Sequence, residues 1–377
     1  MKRLINMFNP ERLVLARSAR RINQEELAKK IGYSPSMVSR WESGSNVPSA
    51  EALIKISQTL KMAERWFSLK SVKHDGVHQF RSLKKTDISA RDKAKARLAL
   101  FHEITNVIEQ WVDYPALNLV QSPNHLEALN ITDKRIEELA EEQRKLWNLG
   151  KRPIKNLTRL LESSGVMITN DWLDSDDMDG VSTWINERPY ILVAKDKDNY
   201  FRNRFDNAHE FGHVVLHKNL SREECDYIGH KEIERQANYF ASCLLMPSDS
   251  LSLSYRNVTL ENLLIEKRHW GSSVAALIMR NHSLGLIDDD HKTRLFRNYS
   301  YRKWRYGEPY DADFKPEKPE LMHNTIKLLL SDGGFQKEDV MDRTFYHAED
   351  LEELCSLPAG TLSDEGTQRR QRLKVLN

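Results

Sequence analysis

The stretch Ala208-His209-Glu210-Phe211-Gly212-His213-Val214-Val215-Leu216 decides how the centre of this chain folds. Residues four apart lie on one face of an α-helix, so His209 and His213 can reach a single metal ion. Apolar residues cover nearly every other side of the helix, which is typical of a buried element. The stretch therefore predicts a buried helix that carries two metal-ligand side chains.

Glu210 follows the first histidine and completes the pattern His-Glu-x-x-His. A charged carboxylate in a buried helix is costly unless it has a partner or a task. In zinc peptidases with this pattern, the metal acidifies a water and the glutamate takes its proton. We therefore predict Zn²⁺ as the cofactor and Glu210 as the general base.

The third ligand must come from another segment, and we predict Glu234, twenty-one residues after His213. Glu234 shares a helical face with Ala237, Asn238 and Ala241, at positions i, i+3, i+4 and i+7. The two alanines permit a close approach of this helix to the first one. Asn238 could hydrogen-bond one of the ligands from outside the metal's coordination shell.

Other side chains compete for the third position. His217 continues the four-residue spacing, but it lies two turns from His209, about 12 Å along an unbroken helix. We therefore predict that His217 packs at the helix end or supports a ligand. The remaining candidates for the third ligand are His230, Asp226 and Glu232.

Two blocks of this region resemble the ImmA/IrrE family of bacterial and phage zinc metallopeptidases. One block is the stretch 209–217, and the other is Glu234-x-x-Ala-Asn-x-Phe-Ala-x-x-Leu-Leu-Met-Pro247. Flanking segments, at 150–157, 160–166 and 270–280, follow in the order found in the family, so the likeness covers roughly residues 80–290.

The resemblance implies a gluzincin-like fold in which His209, His213 and Glu234 hold zinc and Glu210 is the catalytic base. It also implies an activity, the cleavage of a transcriptional repressor in response to stress or DNA damage. Nothing in these blocks departs from the catalytic pattern of the family.

A second motif lies near the amino terminus, where residues 11–61 read as a helical unit with a helix-turn-helix. Gln24 to Ile31 has the apolar face of a helix, and Gly32 supplies the turn after it. Ser34 is a good N-cap for the next helix, which has Pro35 at its first position and extends to Glu42. Another helix, from Ser49 to Leu60, packs against both.

The segment Ser39-Arg40-Trp41-Glu42-Ser43-Gly44-x-x-x-Pro48 resembles the region that follows the recognition helix in the Xre/Cro repressor family. The likeness implies that Ser36 and Arg40 face base edges and that Gln24 contacts phosphate, with Ser39 in the same recognition segment. The expected ligand is double-stranded DNA, bound by a homodimer on a palindrome.

The distribution of charge favours this interpretation. Residues 1–66 contain twelve Lys/Arg and six Asp/Glu, a balance of +6, whereas the whole chain carries +2 and the remainder therefore −4. Basic charge concentrated on a small helical unit suits phosphate binding. The alternative is a set of solvated helix faces around a protein-binding unit.

Length and composition predict a multidomain enzyme of the reducing cytoplasm. The 377 residues suffice for two or three cores. No apolar run approaches a membrane span, and the first residues lack a signal peptide's apolar region. Three cysteines without CxxC spacing, Cys225, Cys243 and Cys355, do not form a disulfide framework.

The expected fold class is mainly α with a small β-sheet, in an α+β arrangement. Strand patterns occur at 166–168, 180–185 and 190–194, and Asn186 to Pro189 is a plausible hairpin turn. Helices are expected at 90–112, 136–146 and 318–330. A sheet edge just before the zinc helix could hold an extended peptide, or the strands merely cover the core.

Five segments are expected, and they are a helix-turn-helix domain (1–66), a linker and helical region (67–149), a gluzincin-like zinc peptidase domain (150–250), its helical extension (251–300) and a carboxyl-terminal region without an assigned role (301–377).

Together these patterns predict a DNA-binding transcriptional regulator with zinc-dependent endopeptidase activity. Its substrate is expected to be a protein, a repressor or antitoxin encoded nearby or the chain's own interdomain segment. His230 and Tyr239 are candidate donors to the oxyanion. Two alternatives are a regulator whose idle peptidase-like half binds a partner or a signal, and a toxin–antitoxin or phage-defence component that acts by binding.

Overall fold

The computed structural model describes residues 7–71, 79–80, 87–175, 178–196, 199–254 and 257–363, so the last residues of the region 301–377 lie outside it. The described part is mainly helical with one small sheet, which confirms the predicted α+β class. From residue 7 onward, the amino-terminal unit contains the helices α1 (Pro10–Ala19), α2 (Gln24–Ile31), α3 (Pro35–Glu42) and α4 (Ala50–Leu60), and a 3-10 turn (Glu64–Ser68).

Helices α2 and α3 form the predicted helix-turn-helix, and local chemistry explains its turn. Asn23 and Glu26 form a capping box at the start of α2. Gly32 ends α2 in the left-handed region, at φ 74°, where glycine has no steric penalty. The Ser34 side chain then accepts a hydrogen bond from the Met37 amide at the start of α3.

A single four-stranded sheet lies in the middle of the molecule, with strands β1 (Gln79–Phe80), β2 (Met167–Asp171), β3 (Gly180–Ile185) and β4 (Arg188–Ala194) in the order β1-β3-β4-β2. Strands β3 and β4 form the predicted hairpin, whose turn residues Asn186 and Glu187 both have positive φ, as a two-residue type I′ turn requires. Strand β2 runs parallel to β4, and β1 runs antiparallel to β3.

The remaining helices up to residue 254 are α5 (Ile88–Ile108), α6 (His125–Leu129), α7 (Asp133–Leu146), α8 (Leu157–Ser163), α9 (Tyr200–Leu216), α10 (Arg222–Ile228), α11 (His230–Leu245) and α12 (Ser248–Ser254). Helix α9 contains the His-Glu-x-x-His stretch, and it lies between the sheet and α11. Beyond residue 256 follow α13 (Leu260–Trp270), α14 (Val274–Ser283), α15 (Asp289–Tyr301), α16 (Leu321–Ser331), α17 (Lys337–Thr344) and α18 (Ala348–Leu354), with 3-10 turns at Trp304–Tyr306 and Asp311–Asp313.

The sheet separates two apolar cores. One face, with Val181 and Leu192, packs against α5, the amino-terminal unit and helices α16 to α18. The other face, with Ile191 and Val193, packs against α7 to α9, α11 and α13 to α15. The helix-turn-helix and the residues after 320 therefore share one core, although they lie at opposite ends of the chain.

Buried ion pairs join these ends. Asp350, on α18, accepts hydrogen bonds from Arg20, which follows α1 directly, and from Arg97 of α5. Arg97 also pairs with Asp171, the last residue of β2. Burial opposes ionisation of Asp350, but the two guanidinium groups hold its pKa below the ordinary value. The amino-terminal unit is thereby attached to the sheet through charged side chains.

Candidate metal centre

Three side chains converge at the contact between α9 and α11. His213 Nε2 lies 3.0 Å from His209 Nε2. The Glu234 oxygens lie 3.3 Å from the two rings, Oε2 from His209 Nε2 and Oε1 from His213 Nε2. All three residues are buried, and they are the group that could hold a metal ion within the described residues.

The spacing of these atoms fits a zinc ion. Ligand atoms about 2.0–2.1 Å from zinc at tetrahedral angles lie about 3.3 Å from one another. The three observed separations, between 3.0 and 3.3 Å, are close to this distance between ligand atoms. Two imidazoles and one carboxylate are also the protein ligands found in catalytic zinc sites that leave one position open.

The side chain of Asn238 favours the tautomer of His209 that can bind a metal. His209 Nδ1 lies 3.0 Å from Asn238 Oδ1. Because the amide oxygen only accepts, Nδ1 carries the proton and donates it. The lone pair is then on Nε2, the atom that faces His213 and Glu234.

A longer chain of hydrogen bonds favours the metal-binding tautomer of His213. Gln236 Oε1 accepts from His217 Nε2, at 3.0 Å, and the Gln236 amide group is oriented by its own donation to Glu232. Burial first, and then the neighbouring His213, lower the pKa of His217 to about 3. A neutral His217 that donates from Nε2 has its lone pair on Nδ1, which accepts from His213 Nδ1 at 2.9 Å. The lone pair of His213 is therefore on Nε2, the atom that faces His209 and Glu234.

The charge of Glu234 suits the same centre. Burial alone would raise the pKa of this carboxyl group, but the imidazoles of His209 and His213 lower it well below the usual range. Glu234 is thus a carboxylate at neutral pH. The lowering of its pKa requires a proton on Nε2 of these rings, and a divalent cation at the same place would replace that proton, with two imidazole lone pairs beside the anion.

Glu210 lies beside this cluster and is 1% exposed. Two glycines allow close approaches at this site, one of them beside Glu210. A Cβ at Gly180, the first residue of β3, would lie 3.0 Å from Glu210 Oε1 and 3.0 Å from the Leu192 carbonyl oxygen. A Cβ at Gly212 would lie 3.0 Å from the Ala237 carbonyl oxygen, so this glycine permits the close packing of α9 and α11.

The other candidate side chains lie around the centre at different distances. His230 Nδ1 is 3.9 Å from Glu234 Oε1. Tyr239 instead donates its hydroxyl to Glu137, at 3.0 Å. Glu232 pairs with Arg235 and Gln236, and Asp226 is exposed on α10. The structure therefore gathers Glu234 with the two histidines, and the two acidic competitors lie elsewhere.

The predicted DNA-contact residues lie on or next to α3. Ser36, Ser39 and Arg40 are all exposed on this helix. Gln24 is half-buried at the start of α2 and donates its amide to Glu42, which also binds Arg17. The recognition helix is thus accessible, while the Gln24 amide nitrogen is already engaged.

Among the basic side chains of the amino-terminal unit, Arg17 and Lys55 pair with acids inside the unit, and two further groups differ from them. One group pairs with acids outside the unit, namely Arg12 with Glu103, Arg20 with Asp350, Arg21 with Asp87 and Lys61 with Glu349. The other group, Lys29, Lys30 and Arg40, is exposed, with no ion pair among the residues that the structure describes. Only part of the +6 charge is therefore available to phosphate.

Sequence reasoning missed three residues of the site. Gln236, Gly180 and Gly212 act through contacts with residues distant in sequence. Gly212 lies inside the quoted motif, and the available signal was a glycine in the interior of a helix, where it costs stability.

Two segments of the chain match known protein families. Residues 161–280 match the family described as the IrrE N-terminal-like domain, and residues 15–67 match the helix-turn-helix family. The chain therefore joins an Xre-type helix-turn-helix domain to a metallopeptidase domain of the ImmA/IrrE type.

One curated relative is the vegetative-specific protein H7 of Dictyostelium discoideum. It is 36% identical over 61 residues, which are 16% of this chain and 59% of that protein. The chain thus covers less than two thirds of this relative. Among the described residues, no helix combines the length and the apolar character that a membrane span needs.

Proposed function

We propose that this chain is a zinc-dependent endopeptidase and a DNA-binding transcriptional regulator. One observation carries the peptidase half: two histidine nitrogens and a carboxylate converge at tetrahedral spacing, and hydrogen bonds direct both imidazole lone pairs inward. We assign the role of general base to Glu210, a buried glutamate next to His209 in the sequence.

His209, His213 and Glu234 would hold the ion. When bound there, zinc supplies a Lewis acid that lowers the pKa of water toward about 7 and polarises a carbonyl group. Glu210 takes a proton from the attacking water and later transfers it to the nitrogen of the leaving amine. Gly180 and the neighbouring strand hold the Glu210 side chain in place for both transfers.

His230 is the better placed of the two oxyanion donors. Its ring lies 3.9 Å from Glu234, at the edge of the cluster, whereas the Tyr239 hydroxyl is committed to Glu137. Burial, and then nearby acidic groups including Glu137, raise the pKa of Tyr239 above its ordinary value. We therefore assign the oxyanion contact to His230 and a supporting role to Tyr239.

The β3 edge offers a way to hold an extended peptide. Strand β3 begins at Gly180, against Glu210, and its outer edge already pairs with the chain's own Gln79–Phe80. Main-chain pairing at an exposed edge is a common means of peptide recognition. A substrate segment would pair at this edge in place of Gln79–Phe80, beside the catalytic glutamate.

The DNA half is supported by the exposed face of α3. Ser36, Ser39 and Arg40 are exposed, and none of them takes part in the ion pairs that attach the unit to the rest of the chain. Lys29 and Lys30 add exposed positive charge nearby. The unit can therefore meet DNA while attached, in our proposal as a homodimer on a palindromic operator.

The proposed substrate is a repressor or antitoxin-like protein, cleaved in a stress, phage or defence response. The competing function is a regulator or toxin–antitoxin component whose peptidase-like domain binds a partner or a signal without proteolysis. An intact Glu210 beside a complete ligand set favours cleavage, because a structural zinc site needs no base.

Comparing protein amino termini in cells that carry the wild type or Glu210→Gln tests the proposal and identifies the substrate. New amino termini should appear with the wild type and be absent with the variant, at equal protein levels and equal zinc content. Identical profiles in both strains, under stressed and unstressed conditions, would favour the binding function.

A further inference from the structure

A deep cleft of about 1360 Å³ opens next to the metal ligands. One wall is a stripe on α11 formed by His230, Glu234, Asn238 and Ser242, at intervals of four residues. The stripe continues for eight residues beyond Glu234, about 12 Å of helix. The cleft therefore leads from the reaction centre into the helical extension.

The far side of the cleft is aromatic. Phe205 of α9, Phe296 of α15 and Trp304 line it, and each is half-buried. Tyr299 connects the last two, because its ring contacts Phe296 and Trp304 edge to face, with centroids 6.1 and 5.8 Å away. These rings pack on the core behind them and present apolar surface to the cleft.

Glu308 anchors this aromatic wall. Its carboxylate accepts hydrogen bonds from the Val274 and Ala275 amides in the first turn of α14. It also accepts from Tyr299, at 3.0 Å, and from the buried Lys267. The aromatic side chains are thus held at a fixed distance from α14.

The first turn of α14 contributes small side chains to the cleft, whereas its later turns contribute Met279, Arg280, His282 and Ser283. Ala275 and Ala276 lie in that first turn and are half-buried. Small residues in a cleft that aromatic side chains also line leave room for a large side chain that a bound molecule brings in. Because the same cleft contains Glu234, the inserted side chain would belong to a residue of the bound molecule that lies near the metal.

We infer that this cleft selects protein substrates with a large apolar or aromatic residue next to the scissile bond. The inference rests on the proposed peptidase function. Apolar area removed from water supplies the affinity, and the rings contribute edge-to-face contacts with an aromatic guest.

Three hydroxamates, those of N-acetyl-phenylalanine, N-acetyl-glycine and N-acetyl-aspartate, are suitable probes because they bind zinc and are not cleaved. Calorimetric titration into the full-length, zinc-loaded wild type should give the phenylalanine compound at least about tenfold tighter binding than the other two. Ala276→Trp should abolish this preference by filling the cleft, whereas Ala359→Trp, at an exposed turn, should retain it.

Phe296→Ala provides a second variant, which should weaken the phenylalanine compound while zinc content and helicity stay unchanged. Equal affinity for all three compounds in the wild type, or a preference unchanged in both cleft variants, would overturn the inference while leaving the peptidase proposal intact. A chain that binds neither zinc nor any hydroxamate contradicts both.

Discussion

His217 Nδ1 lies 2.9 Å from His213 Nδ1, one helical turn away, and this contact sets the side of the His213 ring on which the lone pair is available. The sequence spacing excludes His217 as a ligand because it is too far from His209. The structure gives it a different place, between a metal-ligand candidate and Gln236.

Removing Gln236, the last residue of the hydrogen-bond chain His213–His217–Gln236, should weaken metal binding. Gln236→Leu leaves the His217 N–H without its acceptor, so the tautomer of His213 is no longer set. We expect zinc affinity to fall about 10–100-fold, the usual effect of losing such a supporting contact. Competition with a chelating dye measures it, and Lys231→Gln, exposed on the same helix, is the control. Unchanged affinity in Gln236→Leu would contradict the relay.

A methyl group at Gly180 should impair catalysis without removing zinc. The added Cβ of Gly180→Ala would lie 3.0 Å from both Glu210 Oε1 and the backbone oxygen of Leu192. Since backbone moves less readily than a side chain, Glu210 should be displaced, and we expect a loss of about tenfold or more in kcat. Zinc content and melting temperature show whether the fold is intact. Full activity would mean that Glu210 does not need this position.

Arg40→Ala should reduce discrimination between DNA sequences. An arginine that reaches a base edge contributes about 1–3 kcal/mol of discrimination, so the preferred operator should weaken more than random DNA. Chromatin mapping followed by binding titrations measures this, with Arg297→Ala, exposed on α15, as the control. If neither the wild type nor the variant is enriched at any site, the helix-turn-helix binds protein instead.

Asp350→Asn should destabilise the molecule more than Glu349→Gln does. Asp350 is 4% exposed and neutralises both Arg20 and Arg97, so its loss should cost about 3–5 kcal/mol. Glu349 and its partner Lys61 are more than half exposed, and this pair contributes about 0–1 kcal/mol. Urea denaturation of both variants at neutral pH provides the comparison.

The loss of stability in Asp350→Asn should also depend on pH. The pKa of Asp350 is lowered in the folded protein from its ordinary value of 3.8. Its contribution to stability is therefore fully present above pH 3.8 and is lost as the pH falls through the folded-state pKa. The difference in unfolding free energy between wild type and Asp350→Asn should shrink in acid. A constant difference down to pH 2 would contradict the assignment.

Local spacing explains how much could be predicted from sequence. His209, Glu210 and His213 lie within one turn and a half, and Gly32 and Ser34 mark the helix-turn-helix by their own backbone chemistry. Such signals need no knowledge of the tertiary fold.

Contacts between distant residues could not be predicted in this way. Arg20 and Asp350 are 330 positions apart, and nothing near either residue indicates the other. The two residues of β1 are too few to show a period, although they occupy the edge beside Gly180. The +6 balance likewise does not reveal that Arg12 and Arg20 are buried in ion pairs.

The rate at which zinc-loaded protein cleaves its substrate, with and without the Glu210 carboxylate, tests the central claim most directly. Glu210 lies beside the ligands but is not one of the three convergent groups, so Glu210→Gln should retain a full complement of zinc. Single-turnover cleavage by the variant should be about 10²–10⁴-fold slower than by the wild type. Equal rates at equal zinc content would contradict the role of Glu210 and the mechanism built on it.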